Sequence, residues 1–385
     1  HQFNKNPTNA NKEHYNKQRN YCVKLLKSEK KKYYNNLDPK ILEDNRTFWK
    51  RVKPLFSDKQ KSLPKDIILV ENDTTFSDSK VVAEKLNNFF VDSVRKLEIE
   101  PFLADKDIYN ENLLDIIAKY DDHPSILKIK ENVQSNHAFD FKNLTSLDIE
   151  KEILRLDPKK ANLKGDIPTK MIIKTHDIIS VYLSDAYNKA KQTHSYPDSL
   201  KRADVIPIHK KDEKTLAKNY RPVSPIPVVS KIYEKSMYSE IMNFIEQALS
   251  PYLFGFRKGH STEQCLTIML ERWKKALDGK GYAGAILTEL SKAFDCLNHD
   301  LLISKLKAYG FSTDALKFIL TYLKNRKQRT KVGSSLSEWL EIKYGVPQGS
   351  ILGPLLFNIF LNDIFYFVKD AYIANYADDN TPYTT

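Results

Sequence analysis

Two adjacent carboxylates, Asp378 and Asp379, are well placed in the sequence to support metal chemistry. They follow an apolar and aromatic run, residues 371–376, whose β-forming side chains predict a short strand. Neighbouring side chains of a strand point to opposite faces, so both carboxylates can reach one point only where the chain turns. The pattern predicts either a solvated acidic turn or, with a third carboxylate from a neighbouring strand, a seat for a hard divalent cation.

A pair of cations is the second chemical feature. A strand predicted over residues 203–209 runs into Lys210, and a polar turn brings the chain back to Arg221, which indicates a hairpin. Such a pair either clamps a triphosphate, with Arg as a fork and Lys as a point charge, or is ordinary solvated charge.

The third feature is a glycine-rich loop, residues 345–350. Because Gly carries no Cβ, its backbone can approach a nucleotide closely, although Gly-x-Pro-x-Gly is also a common turn. The loop leads into an apolar helix predicted over residues 352–367. A run over residues 282–290 predicts a buried strand with one carboxylate, Glu289, near its end.

Helical periodicity predicts much of the remaining scaffold. The predicted helices cover residues 77–90, 147–156, 178–191, 230–248, 262–277, 300–309 and 315–325. Ser146 is the expected N-cap of the second of these helices, and Ser261 or Thr262 that of the fifth. Residues 328–332 and 339–344 predict a further hairpin.

The charge distribution favours a polyanionic partner. The 385 residues carry a net charge of +12, and residues 1–60 contain 15 Lys and Arg against 6 Asp and Glu, so +9 lies there and +3 on the remainder. Residues 47–54 interleave aromatic and cationic side chains, which suits either stacking on a nucleic-acid strand or a helix that buries Phe48 and Trp49.

Cysteine usage and hydropathy bear on the compartment. Three dispersed cysteines, Cys22, Cys265 and Cys296, fit neither a zinc site nor a disulfide framework. There is no signal segment, and polar residues interrupt the longest apolar run, residues 354–368, so a nuclear or cytoplasmic location without a membrane is expected. The start at His1 and the stop soon after the acidic turn predict that both ends are cut.

Six motifs follow one another within residues 139–385. The motifs are Ile206-Pro207-Ile208-His209-Lys210-Lys211, Asn219-Tyr220-Arg221-Pro222-Val223-Ser224, Phe254-Gly255-Phe256-Arg257, Leu290-Ser291-Lys292-Ala293-Phe294-Asp295, Gly345-Val346-Pro347-Gln348-Gly349-Ser350 and Tyr376-Ala377-Asp378-Asp379. Together they resemble the reverse transcriptase of non-LTR (LINE-like, jockey-type) retrotransposons, in the family's order and at about its spacing.

The resemblance implies an α+β fold, the right-hand polymerase arrangement with fingers and palm, and with the thumb absent. It implies a basic, mainly helical, nucleic-acid-binding extension at 1–60, a partly looped extension at 61–138, fingers at 139–281 and a truncated palm at 282–385. The implied partners are an RNA template, a DNA primer or target DNA, and dNTP. An endonuclease domain is expected upstream.

The resemblance also implies the residue roles. Glu289, Asp378 and Asp379 would hold two Mg²⁺ ions, or Mn²⁺, about 3.5–4 Å apart, while a primer 3′-hydroxyl attacks the α-phosphorus of a dNTP. These acids should then cluster at one edge of one sheet. The implied substrate contacts are Lys210 and Arg221 for the triphosphate, Gln348 and Gly349 for the incoming nucleotide, and Phe294 where a ribose 2′-hydroxyl would collide.

The sequence departs from the family at Glu289, where the family has Asp, and at Pro225, where it usually has an aliphatic residue. Glu keeps the charge but moves the carboxylate by roughly 1 Å or more, and such a displacement can cost about 10²-fold in rate. Three functions stay open: an RNA-directed DNA polymerase, a catalytically impaired or inactive nucleic-acid-binding remnant, and a metal-dependent nuclease. A nuclease would need neither the Lys210/Arg221 hairpin nor Phe294.

Overall fold

The structure is a computed structural model that describes residues 8–35, 67–95, 112–133, 137–159 and 165–385. The chain divides into two compact units, residues 1–65 and 66–385. In the first unit the described residues form one long helix, α1 (Asn9–Asn35), whose described side chains are mostly exposed. The aromatic and cationic segment at residues 47–54 lies outside the described residues.

Helix is the commonest regular structure among the described residues of the second unit. They are α2 (Ser79–Arg95), α3 (Leu113–Lys119), α4 (Pro124–Asn132), α5 (Ser146–Leu154), α6 (Thr169–Lys174), α7 (His176–Gln192), α8 (Val228–Ile245), α9 (Thr262–Asp278), α10 (His299–Ala308), α11 (Thr313–Leu323), α12 (Leu352–Leu361) and α13 (Ile364–Phe367). Over the described residues, no helix combines the length and the apolar character that a membrane span requires. The largest apolar core lies among the helices α3 to α8 and α10 to α12.

Local side-chain chemistry fixes two of the helix starts. The expected N-cap Ser146 is wrong by one residue, because Thr145 accepts the N–H of Asp148 at 3.2 Å and the Asp148 carboxylate accepts the N–H of Thr145 at 2.9 Å. This reciprocal pair is a capping box, which satisfies two helix-end donors at once. Ser261 forms the same arrangement with Gln264, as the sequence predicted.

The strands form a short hairpin and two larger sheets. The strands are β1 (Leu69–Glu71), β2 (Thr74–Phe76), β3 (Arg202–His209), β4 (Tyr220–Val223), β5 (Gly284–Ala285), β6 (Thr288–Glu289), β7 (Arg326–Val332), β8 (Ser335–Leu336), β9 (Leu340–Ile342), β10 (Tyr372–Tyr376) and β11 (Asp379–Thr384). We call β3, β4, β7, β8 and β9 the basic sheet, and β5, β6, β10 and β11 the acidic sheet.

The basic sheet joins segments that are far apart in sequence. β3 is antiparallel to β4 and parallel to β7, which pairs in turn with β8 and β9. The inner residues of β7 include Gln328 and Thr330, which donate to the side-chain oxygen of the buried Asn87 on α2, each at 3.2 Å. These bonds let polar side chains face inward, because a buried polar group needs a partner.

The acidic sheet has the order β10-β11-β5, and β6 also pairs with β11. The expectation of a buried strand over residues 282–290 is wrong, because every residue from 282 to 290 is exposed and the strand is reduced to the short β5 and β6. Pro382 in the partner strand β11 has no N–H to donate, which accounts for the break between β5 and β6. Ile286 and Leu287 remain 68% and 81% exposed.

The apolar helix predicted over residues 352–367 is interrupted after Leu361. The Asn362 side chain donates to the carbonyl of Ala248 at 2.9 Å and accepts the N–H of Ser250 at 2.7 Å. Asp363 forms a buried ion pair with Lys305. The side chains of Asn362 and Asp363 bind partners outside the helix, and α13 follows as a single turn.

Candidate active site

The acidic turn is the tip of a tight hairpin. Tyr376 pairs with Asp379, which leaves Ala377 and Asp378 as the two turn residues between β10 and β11. Ala377 has a positive φ of 60°, a conformation that L residues adopt rarely. The predicted strand at residues 371–376 and the turn after it are therefore confirmed.

The segment before α9 supports this turn from behind. Phe254 N–H donates to the carbonyl of Asn375 at 3.0 Å, and Asn375 N–H donates to the carbonyl of Tyr252 at 3.2 Å. A Cβ on Gly255 would lie 2.2 Å from the nitrogen of Ala377, so the site admits no side chain there. Close backbone contact with the acidic turn therefore explains the glycine of the Phe-Gly-Phe-Arg motif.

Glu289 lies directly opposite Asp379 in the register of β6 and β11. Side chains of directly paired residues stand on the same face of a sheet, with Cβ atoms about 4.5–5.5 Å apart. The N–H of Leu290 also donates to the carbonyl of Asp378 at 3.0 Å. The backbone therefore brings Glu289, Asp378 and Asp379 to one end of one sheet.

The carboxylate of Glu289 is engaged by a cation from the basic sheet. Lys210 Nζ donates to Glu289 Oε1 at 2.9 Å, with the Glu289 side chain 55% exposed. The hydrogen bond from Lys210 and its positive charge, with smaller contributions from Lys211 and Arg221, lower the pKa of Glu289 below its ordinary value. Within the described ranges, no three His, Cys, Asp or Glu side chains are grouped so that they could hold a metal ion.

The cationic hairpin predicted from the sequence is confirmed. Ile208 pairs with Arg221 and His209 with Tyr220, and Lys210 N–H donates to the carbonyl of Asn219 at 2.8 Å. Arg221 is exposed. Since Lys210 contacts Glu289, the hairpin end lies beside the carboxylates of the acidic sheet.

The glycine-rich loop packs tightly against its own protein. A Cβ on Gly349, whose φ is 132°, would lie 2.6 Å from the carbonyl oxygen of Ser224. A Cβ on Gly345, whose φ is 78°, would lie 2.6 Å from the carbonyl oxygen of Phe294. The positive φ and the close backbone contacts account for both glycines before any ligand is considered.

Two of the residues expected to contact substrate have protein partners. Gln348 Nε2 donates to both oxygens of Asp295, at 2.9 and 3.1 Å. Burial raises the pKa of the Asp295 carboxyl, and the bond from Gln348 acts in the opposite direction. Phe294 stacks on Phe357 with 4.7 Å between ring centroids and meets the ring of Phe256 edge-on at 5.6 Å.

Sequence reasoning missed three residues that shape this site. Asp295 lies in a turn and fixes Gln348. Asn375 is fully buried, and its amide donates to the carbonyl of Ala377 at 2.9 Å inside the hairpin. Glu234 is fully buried beside the N-terminus of α12. A polar residue inside an apolar helical or strand pattern, as at Asn375 and Glu234, is the signal that could have found two of them.

Comparison with known proteins identifies the family of this part of the chain. Residues 208–385 match the family described as "Reverse transcriptase (RNA-dependent DNA polymerase)". These residues therefore belong to the reverse transcriptase family. The resemblance stated from the six motifs is confirmed.

Relatives of the reverse transcriptase domain come from mobile elements. The chain is 34% identical over 210 residues to a probable RNA-directed DNA polymerase from transposon BS of Drosophila melanogaster, covering 52% of the chain and 23% of the relative. It is 27% identical over 296 residues to the RNA-directed DNA polymerase from mobile element jockey of the same species. This match covers 73% of the chain and 32% of the relative. The matched regions thus span 23% and 32% of the length of these two relatives.

Proposed function

We propose that this chain carries the fingers and palm of an RNA-directed DNA polymerase from a non-LTR retrotransposon. It would extend a DNA primer with dNTP on an RNA template. The observation that carries the proposal is the register that pairs Glu289 with Asp379, together with the contact of Lys210 with Glu289 at 2.9 Å. Glu289 thereby meets residues of two of the six motifs at one end of the acidic sheet.

The donor chemistry suits the divalent metal ions that reverse transcriptases generally use. Glu289, Asp378 and Asp379 offer oxygen ligands, and Mg²⁺ favours a few carboxylates together with substrate phosphates. Two Mg²⁺ ions, or Mn²⁺, held by these acids would stabilise the attacking and leaving oxygens of the transfer.

The ion pair of Lys210 and Glu289 would break when a triphosphate binds. A bound triphosphate offers Lys210 a more highly charged partner than one carboxylate, so Lys210 would move to the phosphates and release Glu289. Arg221, exposed on the same hairpin, would bind the triphosphate as a fork. Occupation of the triphosphate site would therefore free the first acid.

The loop and the aromatic cluster would position the nucleotide. Gln348, fixed by Asp295, and the backbone at Gly349 would support the incoming base and sugar. Phe294 is held by Phe357 and Phe256, so it presents a rigid wall. A rigid aromatic wall beside the sugar would reject a ribose 2′-hydroxyl and favour DNA synthesis.

The outer face of the basic sheet is suited to the template strand. Lys327, Arg329 and Lys331 alternate along β7 and point away from α2, and Arg202 is paired beside Lys327 on β3. The guanidinium of Arg329 lies 4.4 Å from the ring centroid of Trp339. Cations combined with an aromatic platform bind single strands through backbone charge and base stacking.

A specific observation favours the second candidate, a catalytically impaired nucleic-acid-binding remnant. Glu289 stands in place of the family's Asp, and its carboxylate is bound to Lys210 rather than grouped with Asp378 and Asp379. In this case the basic residues would still bind nucleic acid, while nucleotide addition would be lost. A nuclease is disfavoured, since it would leave the Lys210/Arg221 hairpin without a role.

Single-nucleotide addition to oligo(dT) on poly(rA) with dTTP and Mg²⁺ tests the proposal. Asp378→Ala should abolish addition, a loss of about 10⁴-fold or more, as for other essential active-site groups. Asp370→Ala is the matched control, because Asp370 is an exposed acid just before the same hairpin. Addition that is insensitive to Asp378→Ala would overturn the catalytic assignment.

Nucleic-acid binding without addition identifies the remnant. In that case neither Asp378→Ala nor Glu289→Asp changes the reaction, while the chain still binds primer–template. The partners beyond this domain, including an upstream endonuclease, and a nuclear or cytoplasmic location stay predictions.

A further inference from the structure

Glu234, on α8, is a carboxylate with 0% exposure that the reaction proposed above does not use. Taking a charged group out of water is costly unless it is fully hydrogen-bonded. Burial raises the pKa of the Glu234 carboxyl, whereas the charge of Arg326 and the hydrogen bonds it accepts act in the opposite direction. The hydrogen-bond partners of Glu234 therefore indicate the role of this buried carboxylate.

Both oxygens of the Glu234 carboxylate accept hydrogen bonds. Oε1 accepts the hydroxyl of Tyr322 at 3.0 Å and that of Ser230 at 3.2 Å. Oε2 accepts the backbone N–H of Ile351 at 2.7 Å and that of Leu352 at 3.3 Å. One oxygen is thus fixed by the α8 and α11 side, and the other holds the start of α12.

The contact has the chemistry of a helix cap that is supplied from elsewhere in the chain. The first amides of a helix have no partner inside the helix, and their end carries partial positive charge. The N-cap of α12 is Ile351, whose side chain can accept no hydrogen bond. Ser350 Oγ accepts the N–H of Gly353 at 2.9 Å, and Glu234, 117 residues before Ile351, supplies the acceptor for the amides of Ile351 and Leu352.

The capped helix end lies directly after the residues proposed to support the nucleotide. Gln348 and Gly349 precede Ile351 by three and two positions. The other end of the loop is held at Gly345, whose carbonyl accepts a bond from His299 Nε2 at 2.6 Å. The middle is held where Ser224 N–H donates to the carbonyl of Gln348 at 2.7 Å.

We propose that Glu234 is a positioning residue for the nucleotide-binding loop, residues 345–350, which it fixes by capping α12 from the interior. The assignment rests on the proposed function, since the loop is taken to contact dNTP. Without Glu234, the amides of Ile351 and Leu352 would lose their acceptor, and the loop would shift relative to Asp378 and Asp379. Nucleotide binding would weaken, while the grip on primer–template would persist.

Glu234→Ala and Glu234→Gln test this role, with Asp363→Asn as the matched control. Gln retains one acceptor oxygen and the size of Glu, so it should restore part of what Ala loses. Asp363 is also a buried acid, paired with Lys305 just beyond the opposite end of α12. Its loss should lower stability to a similar degree without moving the loop.

Three measurements on each variant separate positioning from general stability. Glu234→Ala should raise the KM for dTTP about tenfold, equivalent to about 1.4 kcal/mol, with unchanged Kd for primer–template. Glu234→Gln should show a smaller rise, and Asp363→Asn none. Hydrogen exchange at the amides of Ile351 and Leu352 should accelerate in Glu234→Ala and stay slow in Asp363→Asn.

Equal effects of Glu234→Ala and Asp363→Asn on KM or on amide exchange would reduce Glu234 to a stability residue and overturn the assignment. Failure of the proposed function is distinguishable. If the parent adds no nucleotide, even with Glu289→Asp, the polymerase proposal falls, and the amide exchange alone decides whether Glu234 holds the loop.

Discussion

Strands β10 and β11 of the acidic sheet pack against α9, whereas β5 and β6 on the other side are exposed along their whole length. Ala374 and Tyr383 of the hairpin are 6% and 2% exposed and contact Cys265 and Met269 of α9. Leu287, beside β6, is 81% exposed. Asp378 and Asp379 are therefore placed by core packing.

Glu289 is placed differently from the other two acids. Its backbone pairs with Asp379, and its side chain is held by the Lys210 ion pair. A pair this exposed is worth little in water and is screened by salt. The comparison indicates that the hairpin acids are rigid, while the first acid can change partners.

Disturbing the packed strands β10 and β11 should have the largest effect on nucleotide addition. Gly255→Ala would put a Cβ 2.2 Å from the nitrogen of Ala377, so the acidic turn must move. Since a shift of about 1 Å can cost about 10²-fold in rate, we expect nucleotide addition to fall by that factor. Steady-state primer extension gives the measurement.

Gly284→Ala is the control for this change, because it adds the same methyl group to the same sheet where the nearest atom is 3.7 Å away. It should leave addition within about twofold of the parent, as surface substitutions usually do. Comparable losses in both variants would mean that the packing of Gly255 on the turn is unimportant.

A substitution of Glu289 on the exposed strand β6 should increase activity. Glu289→Asp shortens the side chain, which restores the reach of the family's first acid and weakens the contact with Lys210. We expect single-nucleotide addition to rise by about 10²-fold. Glu289→Gln, which keeps the size and removes the charge, should lower it. A rise in both variants would show that release of Lys210, and not metal-ligand geometry, limits the parent.

Burial of His299 predicts that the stability of the protein depends on pH. Desolvation, with the charges of Arg326 and Lys324, lowers the pKa of His299 to about 4, against its bond to Gly345. Between about pH 6.5 and 4, His299 is protonated in the unfolded chain and neutral in the folded chain. The free energy of unfolding therefore falls as the pH falls. The expected loss from pH 7 to 5 is about 2 kcal/mol.

Urea unfolding at both pH values, for the parent and His299→Gln, measures this loss. Gln can still donate to the carbonyl of Gly345 but does not titrate. The buried carboxyls of Glu234 and Asp295 titrate in both proteins, so the difference between them isolates His299. An equal pH slope in parent and variant would contradict the assignment.

The smallest effect concerns the ion pair itself. Lys210→Met should raise the pKa of Glu289 toward its ordinary value, because the hydrogen bond and charge of Lys210 are the main causes of its lowering. Lys211→Met should raise it less, since Lys211 acts through charge alone. Carboxyl carbon NMR titration of labelled Glu gives both values. If the two variants behave alike, long-range charge rather than the contact sets this pKa.

Local patterns explain what could be predicted from the sequence. The turn residues and alternating side chains predicted the hairpin at Lys210 and the strand and turn at Asp378, because strand alternation and turn chemistry depend on neighbouring residues. The capping box at Ser261 is local in the same way. The order of the six motifs predicted the family, which the match over residues 208–385 confirms.

Features that depend on distant partners could not be predicted. An apolar run such as residues 282–290 shows that burial would be favourable, but not whether any element covers it, and here none of the described residues does. The glycines at 345 and 349 suggested a nucleotide loop or a common turn. The close backbone contacts of Gly255, Gly345 and Gly349 with Ala377, Phe294 and Ser224 appear only in the folded chain.

The sequence by itself determined the chemistry of this protein: two adjacent acids in a turn, a third acid at Glu289, and a cationic hairpin. Only the tertiary structure decided which groups meet. Lys210 and Glu289 are 79 residues apart, and Glu234 and Ile351 are 117 apart. The physical reason is that hydrogen bonds and ion pairs act over a few ångströms in space, so their partners are fixed by the packing of the whole chain and not by spacing along it.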